Sequence, residues 1–290
     1  MRDVSVLTIA RGREAHLHNV IRGLAAQTVP PRELVIAAMQ DEPYEGLPDA
    51  PFPIHQIQVT RPDGELPLAA ARNAVAAKAS GAVLAFVDVD CIPHPALVAD
   101  VAEACYDGRG LVMGEVAYLP KGAAEGGLDF DHFDKIGVKH SDRQGPPAEG
   151  LRYCEDYRCF WSLNFAMHRA DWERSGGFDE GYFGYGGEDT DFGRVLDARG
   201  IDIWWMKGAK VYHQYHDHCM PPIHHVEAVV RNAEYFATRW GHRTMGHWLH
   251  AFHLMGLIDN SDDALTILRA PNDADFEMCR QTGDMPYANS

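Results

Sequence analysis

The sequence predicts an α/β fold: a mostly parallel sheet with helices on both faces. Three observations predict it. The runs Val4–Ile9, Leu34–Ala38 and Val83–Val87 are apolar throughout, and strands with no polar alternation are buried on both faces. Between them lie stretches at helical spacing, with Leu17, Val20, Ile21 and Leu24 on one side and the Ala-rich Leu68–Ala79 after them. Breakers separate the two kinds of segment: Pro30 and Pro31 after the first helix, Gly81 after the second. Strands alternating with helices in this way build βαβ units.

The remaining elements follow in order. Pro43–Pro53 is rich in proline and acid and reads as a loop, and Ile54–Val59 as a third strand. Pro93 and Pro95 open a helix with Leu97, Val98 and Val101 inward. Leu111–Val116 reads as a strand. Pro120–Glu155 has no periodicity and is too long for a plain connection, so a functional loop is expected. Cys159–Met167 reads as a strand, Asp189–Arg199 as a helix stopped by Gly200, and Ile201–Met206 and Ala209–His213 as short strands. Pro221 and Pro222 precede a helix, Ile223–Trp240, with Val226, Val229, Val230, Ala233, Phe236 and Ala237 on one face. The last twenty or so residues are polar and poorly patterned. No internal repeat or low-complexity tract is present.

The 290 residues suffice for one large α/β domain with a helical appendage. We expect a domain over 1–220, with halves 1–118 and 119–220, and a helical extension over 221–290. The chain carries 26 Lys+Arg against 42 Asp+Glu, a net charge of −16. Nucleic-acid binding and polybasic membrane anchoring need the opposite sign, so neither partner is expected. The six cysteines form no CxxC pair and read as small buried apolar residues. No apolar run reaches the roughly 20 residues of a membrane helix, and the N-terminal segment lacks a signal-peptide pattern. A reducing, cytoplasmic location is the expectation.

Ligands of such sheets bind beyond the carboxyl ends of the strands. That rule selects the loops Ala10–Arg13, Met39–Asp41 and Asp88–Asp90, and the segment after Met167. Asp88 and Asp90 sit two residues apart at the end of a buried strand, where hard oxygen ligands suit Mg²⁺ or Mn²⁺ shared with substrate phosphates. A solvated acidic turn is the bland alternative. A strand ending in DxD is also the nucleophile motif of aspartate-dependent phosphatases. That motif normally begins its fold, whereas here a βαβ unit and another helix precede it.

Several segments together resemble the GT-A glycosyltransferases of the family-2 type. They are Leu7–Arg13, Gln27–Ile36, Ala71-Arg72-Asn73 with Ala74, Ala77 and Gly81, and Phe86–Asp90. The stretch Gly176–Gly193, GGFDEGYFGYGGEDTDFG, is similar to the acceptor-side motif of β-1,4-galactosyltransferases, polypeptide GalNAc-transferases and bacterial chondroitin-type polymerases, and Val211-Tyr212-His213 continues it. The likeness covers residues 1–240 or so. It implies a GT-A fold and transfer of a sugar from a nucleotide diphosphate, UDP being typical, to a saccharide or glycoconjugate hydroxyl, with inversion. Asp189 would then be the base and Glu188 would hold the acceptor. Asp88 would lie on the nucleoside side, and Ala10, Arg11, Arg13, Asp41, Arg72 and Val89 would line the donor pocket. Asp90 and His213 would bind Mn²⁺ or Mg²⁺, with His216 a further candidate. Trp161, Asn164, Phe183, Tyr185, Gly186 and Gly187 would face the acceptor. One departure is visible: many family-2 members carry an acidic pair and Gly-Ser after the second strand, where this chain has Met39-Gln40-Asp41.

The chemistry is coherent. A divalent cation stabilises charge growing on a leaving diphosphate. Histidine must be neutral to ligate, so activity should fall in mild acid. A carboxylate at a helix start stays ionised and can take the acceptor proton. Glycines 184, 186 and 187 allow close approach of backbone to substrate. Three acids at residues 188, 189 and 191 are also what an ordinary helix N-terminus carries, and Phe183 and Tyr185 could be core. The crowd His213, His216, His218, Cys219, His224 and His225 offers one or more ligands to the catalytic metal and a loop that closes over the donor. A separate zinc site lacks a matching ligand pair elsewhere. Two other functions remain open: a sugar-phosphate nucleotidyltransferase, and a non-catalytic carbohydrate- or nucleotide-binding relative.

Overall fold

The computed structural model describes residues 3–140, 143–260 and 264–284. The chain opens with β1 (Val4–Ala10), α1 (Glu14–Ala25), β2 (Glu33–Ala38), β3 (Ile54–Gln58), α2 (Leu68–Lys78) and β4 (Val83–Val87). β5 (Cys91–Pro93), α3 (Leu97–Ala104), β6 (Leu111–Met113), β7 (Val116–Tyr118), α4 (Phe130–Ile136) and β8 (Leu151–Tyr153) follow. Then come β9 (Asn164–His168), α5 (Arg169–Ser175), α6 (Glu188–Ala198), β10 (Ile203–Met206), β11 (Val211–His213) and α7 (Val226–Trp240). α8 (Gly246–Leu254), β12 (Ile258–Asn260), β13 (Leu265–Ile267) and α9 (Asp273–Cys279) complete the order.

Eight strands form the central sheet in the order β3-β2-β1-β4-β9-β6-β10-β8. All pairs are parallel except those of β9 with β4 and β6, and of β8 with β10. Alternation within the apolar strands divides the core. Val4, Val6, Leu34 and Ile36 face the layer of α1 and α3, while Leu7, Ile9, Val35 and Ala37 face the layer of α2, α5 and α6. Helices therefore cover both faces, as the unbroken apolar runs require. A second sheet, β5-β11-β7, crosses beside the first. α7, α8 and the strands after them share a smaller apolar cluster built on Val229, Leu249, Phe252 and Ile258.

Several expectations are corrected. The strand read as Leu111–Val116 is two strands in different sheets. The break is at Gly114, where a Cβ would come within 2.1 Å of the Ala209 carbonyl oxygen. The strand read as Cys159–Met167 starts only at Asn164, and it runs against its neighbours because no helical crossover returns the chain to the other end of the sheet. Its start, not its end, lies level with the end of β4, since Val87 pairs with Asn164. The residues directly after Met167 are therefore at the far edge from the ligand-binding rim; the segment before Asn164 lies at the rim, and the chain returns to it only at Glu188 and Asp189. The irregular stretch 120–155 contains α4, capped by the Asp129 side chain accepting from the His132 amide, and β8. Part of it, 141–142, lies outside the described residues. The polar C-terminal stretch contains α9, whose start is closed by a capping box between Asn272 and Asp275. Residues 285–290 of that stretch also lie outside the described residues.

Four of the six free cysteines are buried and two are half-buried. No helix among the described residues is long and apolar enough to cross a membrane.

Candidate active site

Asp88 and Asp90 leave the end of β4 and face different partners. Asp90 meets the small sheet. The Nε2 atoms of His213, on β11, and His216, just beyond it, lie 3.6 and 3.5 Å from its carboxylate oxygens. One ligand atom from each of the three groups falls within 4.8 Å of the others, the one such cluster among the described residues. Neighbouring donors around an ion with bonds of about 2.1 Å stand about 3–3.5 Å apart, so small side-chain shifts would seat a divalent cation here. Arg13 also reaches Asp90, its Nη1 at 2.5 Å from Oδ2. Burial alone would raise the Asp90 pKa, but the facing His213, Arg13 and His216 bring it down to about 2. Burial pushes His213 down to about 4 and lowers His216, so both imidazoles are neutral at pH 7 and ready to ligate.

Asp88 turns to Arg72 on α2. That guanidinium is 5% exposed and lies 3.8 Å from Asp88, 3.3 Å from Glu188 and 3.8 Å from Asp189. Burial disfavours its charge, but Asp189, Asp88 and Glu188 outweigh that and raise its pKa. One buried cation thus serves three carboxylates. Burial, together with the neighbouring acids, pushes Asp88 and Glu188 up to about 7 against the pull of Arg72. Asp189 is oriented by Ser162, whose backbone N–H and hydroxyl donate to Oδ2 at 2.9 and 3.1 Å. Asp189 Oδ1 is buried and accepts no hydrogen bond.

The glycine-rich motif shapes the approach to this cluster. Gly184, Gly186 and Gly187 have φ of 79°, 85° and 92°, a region that favours glycine. Gly187 precedes α6, so Glu188, Asp189 and Asp191 occupy the first turn at the positive end of its dipole. Asp191 points away and is structural, bound by Tyr182 Oη, Trp240 Nε1 and Arg239. The loop is pinned from α7, where the Asn232 amide donates to the carbonyls of Phe183, Tyr185 and Gly186 at 3.0, 3.3 and 2.7 Å. The Phe183 ring is flanked by the guanidinium groups of Arg61 and Arg231 at 3.8 and 3.9 Å. Tyr185 stacks on His225 at 4.4 Å and on Trp248 at 5.6 Å.

The other expected residues are placed as follows. Ala10 and Val89 are buried beside the cluster. Arg11 is exposed and donates to the Gly64 carbonyl at 2.8 Å. Asp41 is exposed on the loop after β2, with its carbonyl accepting from Gln58. Trp161 makes an edge contact with His140. Asn164 does not open toward the acceptor side: it is buried, with its amide committed to the Ala209 carbonyl. The histidine crowd splits: His213 and His216 face Asp90, while His225 stacks on Tyr185 with the His224 ring tilted against it. Sequence reasoning missed Ser162, Asn232, Arg61, Arg231 and Trp248, which act through contacts distant in the chain. Only Ser162, between Trp161 and Asn164, stood near a flagged position.

Known proteins resemble the chain in the same segments. Glycosyl transferase family 2 matches residues 5–132, and the N-terminal domain of galactosyltransferase matches residues 148–217. A validoxylamine A glucosyltransferase of Streptomyces hygroscopicus subsp. limoneus is 28% identical over 230 residues, 69% of this chain and 49% of that protein. Its counterpart from subsp. jinggangensis is 31% identical over 162 residues, 47% of this chain and 36% of that protein. The chain thus spans half or less of the length of these curated relatives. Among solved structures, S. aureus TarS aligns with a TM-score of 0.56 at 14% identity, covering 85% of this chain and 41% of that one. GalNAc-T7 with UDP, GalNAc and Mn²⁺ aligns with a TM-score of 0.51 at 17% identity, covering 73% and 44%. These structural likenesses speak for the fold. The two family matches between them take in β1, α2, β4, Ser162, the glycine-rich loop and β11, and together they support a family-2-like glycosyltransferase on a GT-A fold.

Proposed function

We propose that the chain moves a sugar from a nucleotide diphosphate, UDP first among candidates, to a hydroxyl of a saccharide-type acceptor, with inversion. The observation that carries this reading is the continuous chain of contacts from His213 and His216 through Asp90, with Asp88 two residues away, to Arg72, Glu188 and Asp189. Asp90, His213 and His216 would hold a divalent cation. Two imidazole nitrogens suit Mn²⁺ better than Mg²⁺, which prefers an all-oxygen shell. The ion would supply positive charge to the leaving diphosphate. Arg13, on the same Asp90 carboxylate, is the nearest guanidinium for the phosphates. Asp88 and Arg72 would stand on the nucleoside side.

Asp189 is the base in this reading. Ser162 fixes one oxygen, and the second, buried and without a hydrogen bond, would accept the acceptor hydroxyl. Glu188, beside it, would hold the acceptor, and Tyr185 and Phe183 would border it. We read residues 1–220 as the catalytic unit, 1–118 toward the donor and 119–220 toward the acceptor, with 221–290 as an extension that supports the acceptor loop, and a cytoplasmic site of action. Relatives support the donor class: GalNAc-T7 is described with UDP and Mn²⁺, and TarS with UDP-GlcNAc.

The test is a panel of UDP-sugars with Mn²⁺, scored by release of UDP. We expect metal-dependent turnover of at least one donor, lost at least a hundredfold in Asp189→Asn while donor binding is kept. Full activity in that variant would remove Asp189 from the role of base.

A further inference from the structure

A second buried cation lies next to this cluster. The three guanidinium nitrogens of Arg143 are sealed from solvent, and none has a hydrogen-bond partner among the described residues. The group sits 5.2 Å from the Trp205 ring centroid and 5.9 Å from that of Trp161. Aromatic faces attract a cation but do not satisfy its five donors. Burial accordingly pushes its pKa down, with Asp189 among the acids that pull the other way. A buried guanidinium with no acceptor among the described residues is costly, and an anion placed against it would offset that cost.

The pocket in front of Arg143 is narrow and lined by Glu115, Lys139, His140, Pro146 and Trp205. Glu115 does not neutralise it, because its oxygens accept from Lys207 Nζ and the Gly208 amide. The position is close to the chemistry. Trp161 precedes Ser162, which holds Asp189. Tyr118 packs on the pocket residue His140 at 5.6 Å and on His213 at 4.8 Å between ring centroids.

Resting on the transferase reading above, we propose that Arg143 anchors a carboxylate carried by one of the two substrates. A guanidinium fork matches a carboxylate in two parallel hydrogen bonds. The two indole rings within 6 Å and the narrow pocket favour that flat group over a tetrahedral phosphate. The enzyme then selects a uronic-acid-type sugar, as donor or as acceptor, over its neutral counterpart. Arg143 contributes specificity rather than proton transfer.

The experiment compares binding by calorimetry in two arms with Mn²⁺ present. One sets UDP-glucuronate against UDP-glucose. The other sets methyl glucuronide against methyl glucoside in the presence of UDP. In one arm the carboxylated compound should bind at least tenfold tighter, Arg143→Met should erase the preference without weakening the neutral compound, and Arg143→Lys should keep part of it. Retention of neutral binding in Arg143→Met shows that the loss is not misfolding. Equal binding of carboxylated and neutral compounds by the wild type in both arms, or a preference that survives Arg143→Met, overturns the proposal. A chain that prefers the glucuronide yet binds no UDP-sugar sinks the donor reading while leaving Arg143 in its role.

Discussion

Removing Arg72 is the sharpest perturbation of the site, and its size follows from the geometry. The guanidinium is almost wholly buried and lies 3.3–3.8 Å from three carboxylates. Arg72→Met keeps the bulk and deletes the charge, leaving Asp88, Glu188 and Asp189 facing one another. Breaking a buried ion pair by deleting one partner costs about 3–5 kcal/mol, and in a chain of this size each kcal/mol lowers Tm by about 2–4 °C. A drop of about 10 °C is therefore expected near pH 8. The loss must depend on pH. Glu188 binds its proton more readily in the fold, with a pKa near 7 against an ordinary 4.5. A raised carboxylate favours the folded state below its unfolded pKa, and that contribution fades as pH climbs through the folded value. Below about pH 6 Glu188 is already protonated, Arg72 has less negative charge to neutralise, and its deletion should cost less than half as much. Differential scanning calorimetry of the metal-free protein and the variant at pH 5.5 and 8 measures this. An equal Tm difference at both values would falsify the claim that Arg72 works by charge.

Two further outcomes follow from the same contacts. His213→Ala should weaken Mn²⁺ binding at least tenfold by titration calorimetry. In the wild type, because burial holds the His213 pKa near 4 and lowers His216, binding should persist to about pH 5 rather than fade near 6.5. A midpoint at 6.5 would show ordinary, exposed imidazoles, and it would restore the mild-acid loss expected of an unshifted histidine ligand. Asn232→Leu removes an amide whose two N–H groups are shared among three carbonyls of the glycine-rich loop, at about 1 kcal/mol for each N–H, with the Tyr185 and Gly186 carbonyls left short of a donor. The variant should melt several degrees lower and show a raised acceptor KM with donor binding unchanged, and an unaltered acceptor KM would mean the loop holds its shape without α7.

The N-terminal half was legible in the sequence because its signals are local. Apolar runs with no alternation gave β1, β2 and β4, and the acids at the end of β4 stood out against them. The glycines before Glu188 and Asp189 marked a turn into a helix, and the structure has it there. What was not legible depends on pairing at a distance. Nothing in the run Asn164–His168 distinguishes a strand that runs against its neighbours from one that runs with them, since both are apolar and buried. That direction moved the rim from the residues after Met167 to those before Asn164, and it delivered Ser162 to Asp189. Asn164 was expected to face the acceptor on the resemblance alone, whereas its amide ties the strand to the Ala209 turn. Arg143 lies in a stretch without periodicity, where composition reads the charge as solvated and only packing shows it enclosed.

The clamp from α7 also orders events in time. A single amide at position 232 gathers carbonyls from Phe183, Tyr185 and Gly186, so that loop has no fixed course until the chain some fifty residues onward has been synthesised and docked. β1, β2 and β3 need no such wait, because their strand partners all lie within the first 87 residues, and only the outer edge of β4 waits for β9. On the ribosome the β3-β2-β1-β4 part of the sheet can pair early, while the glycine-rich motif sets only after α7 has docked.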